Sequence, residues 1–331
     1  MTVARVRPQT SFRSTTLTTQ TPAALLDRAE DRWAELDASQ PDLVPAIALQ
    51  RLLVTRTIQT VHRLARAEVP IMTLDPEQAA EKLRAGTPAL RGEPVALPVA
   101  VLGPLVLGAC DNLASGDAGT VAQRVRGCLD HGRIDMGSLL IASFDRNQHA
   151  IRTKAMHEGI APDVLWLAAE LAVGPAAYVA QRTLFAPLGA QTHAAVTEAL
   201  AEWPHGYCPA CGSWPAFGEQ LGQAGQLRCS FCGHGWGPHA PGCTYCGERG
   251  SLTPVKAETH SAVWAEVCSG CGAYLKWLDV AAPTPFELLP VEDLASTPLD
   301  VLAAQKGFGR PSLPELGEPA RNPCQMDDPP H

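Results

Sequence analysis

The fold of this chain is decided by Cys208-Pro-Ala-Cys211-Gly212, a turn that recurs as Cys229-Ser-Phe-Cys232-Gly233, Cys243-Thr-Tyr-Cys246-Gly247 and Cys268-Ser-Gly-Cys271-Gly272. Two thiolates three residues apart on a tight turn can grip one tetrahedral metal ion. The glycine that follows each pair can adopt positive φ without a steric penalty. Four such turns within 64 residues therefore predict two metal sites of four thiolates each.

The pairing of the four turns has two solutions. Sequential pairing predicts one site from Cys208, Cys211, Cys229 and Cys232, and a second site from Cys243, Cys246, Cys268 and Cys271. A cross-braced arrangement would join the first turn to the third and the second to the fourth. Sequential pairing is favoured, because the 17 and 21 residues between paired turns each suit one hairpin that returns to its start.

The chemistry of the predicted sites limits their metal and their role. Tetrahedral sulfur coordination suits zinc or iron, and spacing does not separate the two. A full shell of four sulfurs leaves no open position for substrate, which disfavours hydrolytic metal catalysis. The neighbouring histidines are surplus to such a shell and are expected at the surface or around it: His205, His234, His239 and His260.

The cysteine count also separates a second group of thiols. Of 11 cysteines, Cys110, Cys128 and Cys324 lie outside the four turns. We expect Cys110 and Cys128 to be small buried apolar residues. A chain of 331 residues does not need disulfides to fold. Reduced thiols and the absence of an export signal predict a cytoplasmic location.

Charge is concentrated around the predicted metal sites. The formal net charge is −8, and residues 201–331 hold 14 acidic but only 7 basic side chains. Nucleic-acid affinity rests on clusters of Lys and Arg, so this acidity disfavours the nucleic-acid binding typical of zinc ribbons. A protein partner is favoured instead, with Trp214, Trp236 and Trp277 as candidate exposed anchors.

The rest of the chain divides by composition. Residues 1–20 and 311–331 are expected to be flexible tails. Residues 21–203 show helical periodicity, interrupted at 87–112 by a proline-rich stretch that predicts a linker or extended loop. Residues 204–238 and 239–290 predict two small β-rich metal domains with their own compact core, and 291–310 predicts a C-terminal helix. No apolar run is long enough to predict a membrane span.

Two carboxylates in the C-terminal region are candidate packing or partner residues. Asp293 and Asp300 lie within the predicted C-terminal helix, between the metal region and the tail. We hypothesise that they cap or pair that helix where it packs onto the helical domain, although an ordinary amphipathic helix would show the same pattern.

The cysteine region resembles the formate dehydrogenase accessory proteins, the FdhE family. The resemblance rests on the order of the four turns, on Cys268-Ser-Gly-Cys-Gly-Ala-Tyr-Leu-Lys276, on Glu292-Asp-Leu-Ala-Ser296 with Leu299-Asp300, and on Lys306-Gly-Phe-Gly-Arg310 with Asn322-Pro323. It implies a multidomain α+β protein: an all-helical N-terminal domain, two rubredoxin-like metal domains and a C-terminal helix.

The resemblance also implies a function. It implies a non-enzymatic protein of the cytoplasm that binds the molybdenum-containing catalytic subunit of a formate dehydrogenase and supports its assembly. Two alternatives stay open on the residues alone. One is a rubredoxin-like iron protein for electron transfer or redox sensing, and the other is a zinc-ribbon nucleic-acid binder, which the acidity disfavours. The oligomeric state is not predicted.

Overall fold

A computed structural model describes residues 20–67, 74–115, 119–185, 194–238, 241–256 and 262–311. The expected tails lie almost wholly outside these ranges, as does Cys324. The first part of the described chain contains helices α1 (Pro22–Ser39), α2 (Val44–Ala65), α3 (Pro76–Arg84), α4 (Val99–Ala114), α5 (Gly119–Asp130), α6 (Met136–Phe144), α7 (Gln148–His157), α8 (Pro162–Phe185) and α9 (Ala194–Ala201).

The helix starts follow local sequence signals. At α1 the Thr21 hydroxyl accepts a hydrogen bond from the N–H of Ala24, and Pro22 opens the helix. At α3 the Asp75 carboxylate accepts from two backbone N–H groups of the first turn. Each cap satisfies donors that have no partner inside the helix. A Thr or Asp followed by Pro, as at the start of α1 and α3, therefore indicates a helix N-terminus in the sequence.

The linker expected at 87–112 is wrong over its second half. Val99–Ala114 form helix α4, with Pro104 inside it. An internal proline removes one helical hydrogen bond. Helix α4 nevertheless forms, because it packs on α5 and α8 and buries Leu102, Val106 and Cys110. Burial of this apolar face outweighs the local cost of the proline.

Helix α8 is the centre of the helical body. It packs against α2, α4, α6 and α7. Among the described residues it alone is long and apolar enough to cross a membrane by length and composition, as the core helix of a globular protein also can be. Of its most apolar 18-residue stretch, 61% is buried inside the protein.

The cysteine region forms one continuous sheet. Its strands are β1 (Phe217–Leu221), β2 (Ala224–Arg228), β3 (Gly235–Trp236), β4 (Leu252–Lys256), β5 (Val263–Cys268) and β6 (Tyr274–Asp279), in the order β3-β2-β1-β6-β5-β4. Neighbours are antiparallel except β1 and β6, which run parallel with Gly218 opposite Trp277. The parallel pair joins the two hairpin ribbons into a single sheet.

The expectation of a separate core for the cysteine region is wrong. One cluster of buried side chains runs from α4 and α8 through all four cysteine turns to β6. Trp236 and Trp277, expected as exposed anchors, are buried at 4% and 8% exposure, and Trp214 is half-buried. Aromatic side chains of this region stabilise the shared interior, since each buries a large apolar area.

The C-terminal helix expected over 291–310 is divided in two. Helix α10 spans Leu289–Ala295 and α11 spans Thr297–Gln305. The break falls before Pro298, which has no N–H to continue the first helix and which favours the first turn of the second. Leu288 and Val291 pack with Trp33 and Ile47 of the helical body, whereas Ala303 of α11 packs with β5 and β6.

Candidate metal centres

The four cysteine turns share one backbone geometry. In each, the glycine after the second cysteine donates its N–H to the carbonyl of the first cysteine, at 2.8–2.9 Å. All four glycines have positive φ: Gly212 83°, Gly233 68°, Gly247 74° and Gly272 71°. This is the backbone conformation that favours glycine, so the predicted role of these residues is confirmed.

The structure pairs the turns sequentially. Cys208, Cys211, Cys229 and Cys232 place their sulfurs within 4.8 Å of one another, and so do Cys243, Cys246, Cys268 and Cys271. The sequential pairing predicted from the gap lengths is therefore confirmed.

The sulfur spacing fits a tetrahedral ion. The shortest Sγ–Sγ distances are 3.6 Å for Cys208–Cys232 and 3.5 Å for Cys211–Cys229 in the first centre. In the second centre both short Sγ–Sγ distances are 3.7 Å. Four sulfurs about 2.3 Å from one zinc ion lie about 3.8 Å apart, whereas a disulfide would bring two sulfurs to about 2.05 Å. Two metal ions, zinc or iron, can thus be held, as predicted.

The first centre is enclosed by the helical body. All four of its cysteines are at most 1% exposed. The backbone N–H groups of Ala89 and Leu90 donate to the carbonyls of Pro209 and Ala210 at 2.9 Å. The Arg91 guanidinium donates to the carbonyl of Cys211 at 3.1 Å. The segment between α3 and α4 therefore closes over the first cysteine turn.

Arg146 covers the second cysteine turn of the same centre. Its guanidinium carbon lies 3.9 Å from the centroid of the Phe231 ring, between Cys229 and Cys232, and 4.7 Å from that of Trp166. It also donates to Glu170 at 2.7 Å. Arg146 is the one described residue other than glycine with positive φ, at 56°. A cation thus lies against the second cysteine turn of this centre.

The second centre is more open. Cys246 is half-buried, and no atom of the described residues lies within 4 Å of where a side chain would start at Gly247. The Ser251 hydroxyl lies 3.2 Å from the sulfur of Cys268. A hydroxyl can donate a hydrogen bond to a thiolate and so stabilise its negative charge.

Burial acts against ionisation of the clustered thiols. Burial raises the pKa of Cys208 and Cys232 well above the usual thiol value, and it raises that of Cys243 to about 12. Burial also opposes ionisation of Cys268, but hydrogen bonds from Ser251 and backbone N–H groups lower its pKa to about 7. A bound metal ion replaces the protons on such thiols.

The described histidines do not complete either shell. His234 is buried, and its Nδ1 lies 3.3 Å from the side-chain oxygen of Gln181. Burial lowers the pKa of His234 to about 4, which keeps the ring neutral. His205 stacks on Tyr207 with ring centroids 4.6 Å apart. His239 and His260 lie outside the described residues.

Asp293 and Asp300 both contact the buried side chain of Lys276. Lys276 of β6 lies 2.7 Å from the Asp293 carboxylate and 2.8 Å from that of Asp300. Arg310 contacts the same two carboxylates at 2.7 and 3.0 Å, and the Tyr274 hydroxyl donates to Asp300 at 2.7 Å. The two carboxylates form ion pairs with cations of β6 and of the segment after α11. Both cations belong to the motifs Cys268–Lys276 and Lys306–Arg310, and nothing in those motifs indicates the pairing.

A second buried ion pair was not foreseen either. Arg228 of β2 donates to the Glu219 carboxylate of β1 at 2.6 Å and to the carbonyl of Thr284 at 2.8 Å. The N–H of Thr284 returns a hydrogen bond to Glu219 at 2.9 Å. Glu219 and Arg228 are the charged residues of β1 and β2, and their ion pair ties the first ribbon to the chain segment before α10.

Comparisons with known proteins agree with this architecture. A family model described as "FdhE, C-terminal domain" matches residues 242–316. Protein FdhE homolog from Pectobacterium carotovorum subsp. carotovorum (strain PC1) is 38% identical over 112 residues. Protein FdhE from Escherichia coli O9:H4 (strain HS) is 35% identical over 112 residues. Each match covers 32% of this chain and 36% of the relative's length.

A solved structure is similar over nearly the whole chain. The crystal structure of the FdhE protein from Pseudomonas aeruginosa matches with a TM-score of 0.55 and 22% identity, and the match covers 92% of this chain and 96% of that one. At this identity the similarity shows the fold. The resemblance stated for the cysteine region is matched by the family model over residues 242–316, and the helical-plus-ribbon architecture inferred from the sequence is confirmed.

Proposed function

We propose, on the premise that the chain belongs to the FdhE family, that it is an accessory protein for a molybdenum-containing formate dehydrogenase. It binds the catalytic subunit of that enzyme in the cytoplasm and supports its assembly into the active form. The chain has no catalytic activity of its own in this proposal. Its eight clustered cysteines are the ligands of two resident metal ions, zinc or iron.

One observation carries the proposal: both cysteine clusters are complete and are built into the interior that the sheet shares with the helical body. A full sulfur shell offers no position for substrate or water. The metal ions therefore stabilise the folded shape of the protein surface and do not catalyse hydrolysis. The acidity of residues 201–331 supports a protein partner over nucleic acid, since phosphate binding needs clustered cations.

Co-purification tests the proposal. Affinity-tagged chain is expressed together with a formate dehydrogenase catalytic subunit, and the captured subunit is quantified. The Cys208→Ser/Cys211→Ser variant is expected to lose capture, because it removes half of the first sulfur shell. The matched control is Cys110→Ala/Cys128→Ala, which removes two buried cysteines outside both clusters. Failure of the unaltered chain to capture the subunit would refute the proposal.

Asp293 and Asp300 allow a partner role to be separated from a packing role. The Asp293→Asn/Asp300→Asn variant is compared with the unaltered chain in urea unfolding and in capture. Loss of stability with retained capture would indicate packing alone. Loss of capture at unchanged stability would indicate direct partner contact, and unchanged values of both would exclude both roles.

Electron transfer is a second candidate function, favoured by the half-buried Cys246 of the second centre. A one-electron role needs iron at an accessible site. Metal analysis and the visible spectrum of the protein as purified test this candidate. Absence of iron and of the ferric tetrathiolate colour would exclude it.

A further inference from the structure

The two metal centres differ in what covers them. In the first, a side chain placed at Gly212 would meet Pro88 and Arg91, and one placed at Gly233 would meet Tyr178 and Phe286. Both turns of that centre are thus covered by the helical body or by the segment before α10. In the second centre a side chain placed at Gly247 would meet none of the residues that the structure describes, and Cys246 of the same turn is half-buried.

The two centres also differ in their nearby charge. Four thiolates around a divalent ion carry a net charge of −2. Arg91 donates to the Cys211 carbonyl, and Arg146 lies against Phe231 with only 3% of its side chain exposed. At the second centre the corresponding contact comes from a neutral group: the Ser251 hydroxyl lies 3.2 Å from the sulfur of Cys268.

We infer that the two centres hold their metal with different lability: the second exchanges its ion with chelators in solution, whereas the first retains its ion behind the helical body with Arg146 as its positioning residue. Release requires that a proton reach a thiolate sulfur or that a chelator reach the metal ion and replace a sulfur there, and cover over the first centre slows both. The buried positive charge of Arg146 also stabilises the anionic shell, because a charge acts more strongly where water is excluded. Neither step depends on a formate dehydrogenase partner.

Arg146 is suited to this role by its fixed position. Its Nη2 is held by Glu170 at 2.7 Å, and its guanidinium lies between the rings of Phe231 and Trp166. Its Nε and Nη1 are buried and have no hydrogen-bond partner among the described residues. A guanidinium held in this way fixes its positive charge beside the second cysteine turn and supports the position of that turn.

The experiment measures metal release from the full chain loaded with two zinc ions. An excess of EDTA is added, and remaining zinc is followed with a colorimetric chelator. Two phases of one ion each are expected, and Cys246→Ser should remove the fast phase alone. Arg146→Met should accelerate the slow phase about tenfold or more, the usual scale for groups that support metal ligands, and Arg146→Lys should restore most of the retention.

The matched control is Arg152→Met, which removes a 48% exposed arginine of α7 and should leave both phases unchanged. A single phase for both ions would overturn the inference. So would loss of the slow phase in Cys246→Ser. An Arg146→Met chain that retains both phases, or an Arg146→Lys chain that releases metal as fast as Arg146→Met, would refute the role of the charge. If Arg146→Met does not fold, the phases of the unaltered and Cys246→Ser chains still decide the lability difference, and Arg146→Lys decides the charge.

Discussion

Removal of the buried lysine of β6 should be among the most destabilising single changes outside the metal centres. The Lys276 side chain is 0% exposed and lies within 2.8 Å of both Asp293 and Asp300. Lys276→Met keeps the length of the side chain but removes one of the cations that contact the carboxylates of Asp293 and Asp300. Breaking a buried pair this way costs about 3–5 kcal/mol. We expect the lower end, about 3 kcal/mol, because Arg310 still contacts both carboxylates.

Urea unfolding of the metal-loaded chain, followed by tryptophan fluorescence, measures this loss. Lys256→Met is the matched control: Lys256 lies in β4, is exposed, and has no ion pair among the described residues. A loss for Lys276→Met no larger than for Lys256→Met would refute the reasoning.

The same cluster fixes the pH dependence of stability. Burial opposes ionisation of Asp293, but Arg310 and Lys276 outweigh it and lower its pKa. The stabilisation is therefore complete above the ordinary aspartate pKa of about 3.9. It is lost as pH falls through the lower folded-state value. Lys276→Met should lose less stability over that acid range than the unaltered chain, and an equal loss would contradict the assignment.

Three further outcomes are expected. In urea unfolding, Gly218→Ala should destabilise the chain by about 1–3 kcal/mol, because the added methyl carbon would overlap the Trp277 ring. Gly127→Ala lies within α5 and would meet none of the described residues, so it should stabilise the chain by about 0.5–1 kcal/mol. A more stable Gly218→Ala than Gly127→Ala would contradict this packing. Cys110, whose pKa burial raises to about 11, should resist iodoacetamide at pH 8 in native protein; mass spectrometry showing alkylation at the rate of an exposed thiol would exclude this environment. Removing both metal ions should lower the melting temperature sharply, because each structural ion contributes on the order of 10 kcal/mol, and an unchanged value would show that the centres do not support the fold.

The metal centres could be predicted from the sequence because their geometry is local. Each turn needs only two cysteines three residues apart and a glycine with positive φ, and a hairpin gap brings the next turn alongside. Cys208 and Cys232 are only 24 residues apart. Short loops of this kind are closed at little entropic cost, so spacing alone indicated the partners.

The joining of the two ribbons could not be predicted in the same way. It depends on the parallel pairing of β1 with β6, where Gly218 lies opposite Trp277, 59 positions later in the chain. No turn connects these strands. Their alignment follows from the Trp277 ring, which packs over Gly218 and Gly225. A glycine in a strand indicates a close approach of another group, but the sequence does not say which group approaches.

The error at 87–112 has a different cause. Proline density predicted an extended segment, yet only Pro104 falls inside α4, and Pro98 precedes it as the cap residue. What decides the helix is a tertiary contact: Val106 and Cys110 are fully buried, and α4 packs along α8. Propensity is a weak prior where such burial is available.

The first metal centre is hydrogen-bonded directly to the chain segment between α3 and α4. The carbonyls of Pro209 and Ala210 accept hydrogen bonds from the segment between α3 and α4, and both carbonyls belong to the turn that an ion shared by Cys208 and Cys211 would hold closed. Loss of that ion would free the turn and leave buried N–H groups of Ala89 and Leu90 without acceptors, each at a cost of about 1–3 kcal/mol. Unloading the first centre should therefore loosen the helical body as well as the sheet, and the deeper burial of that centre protects the contact on which both depend.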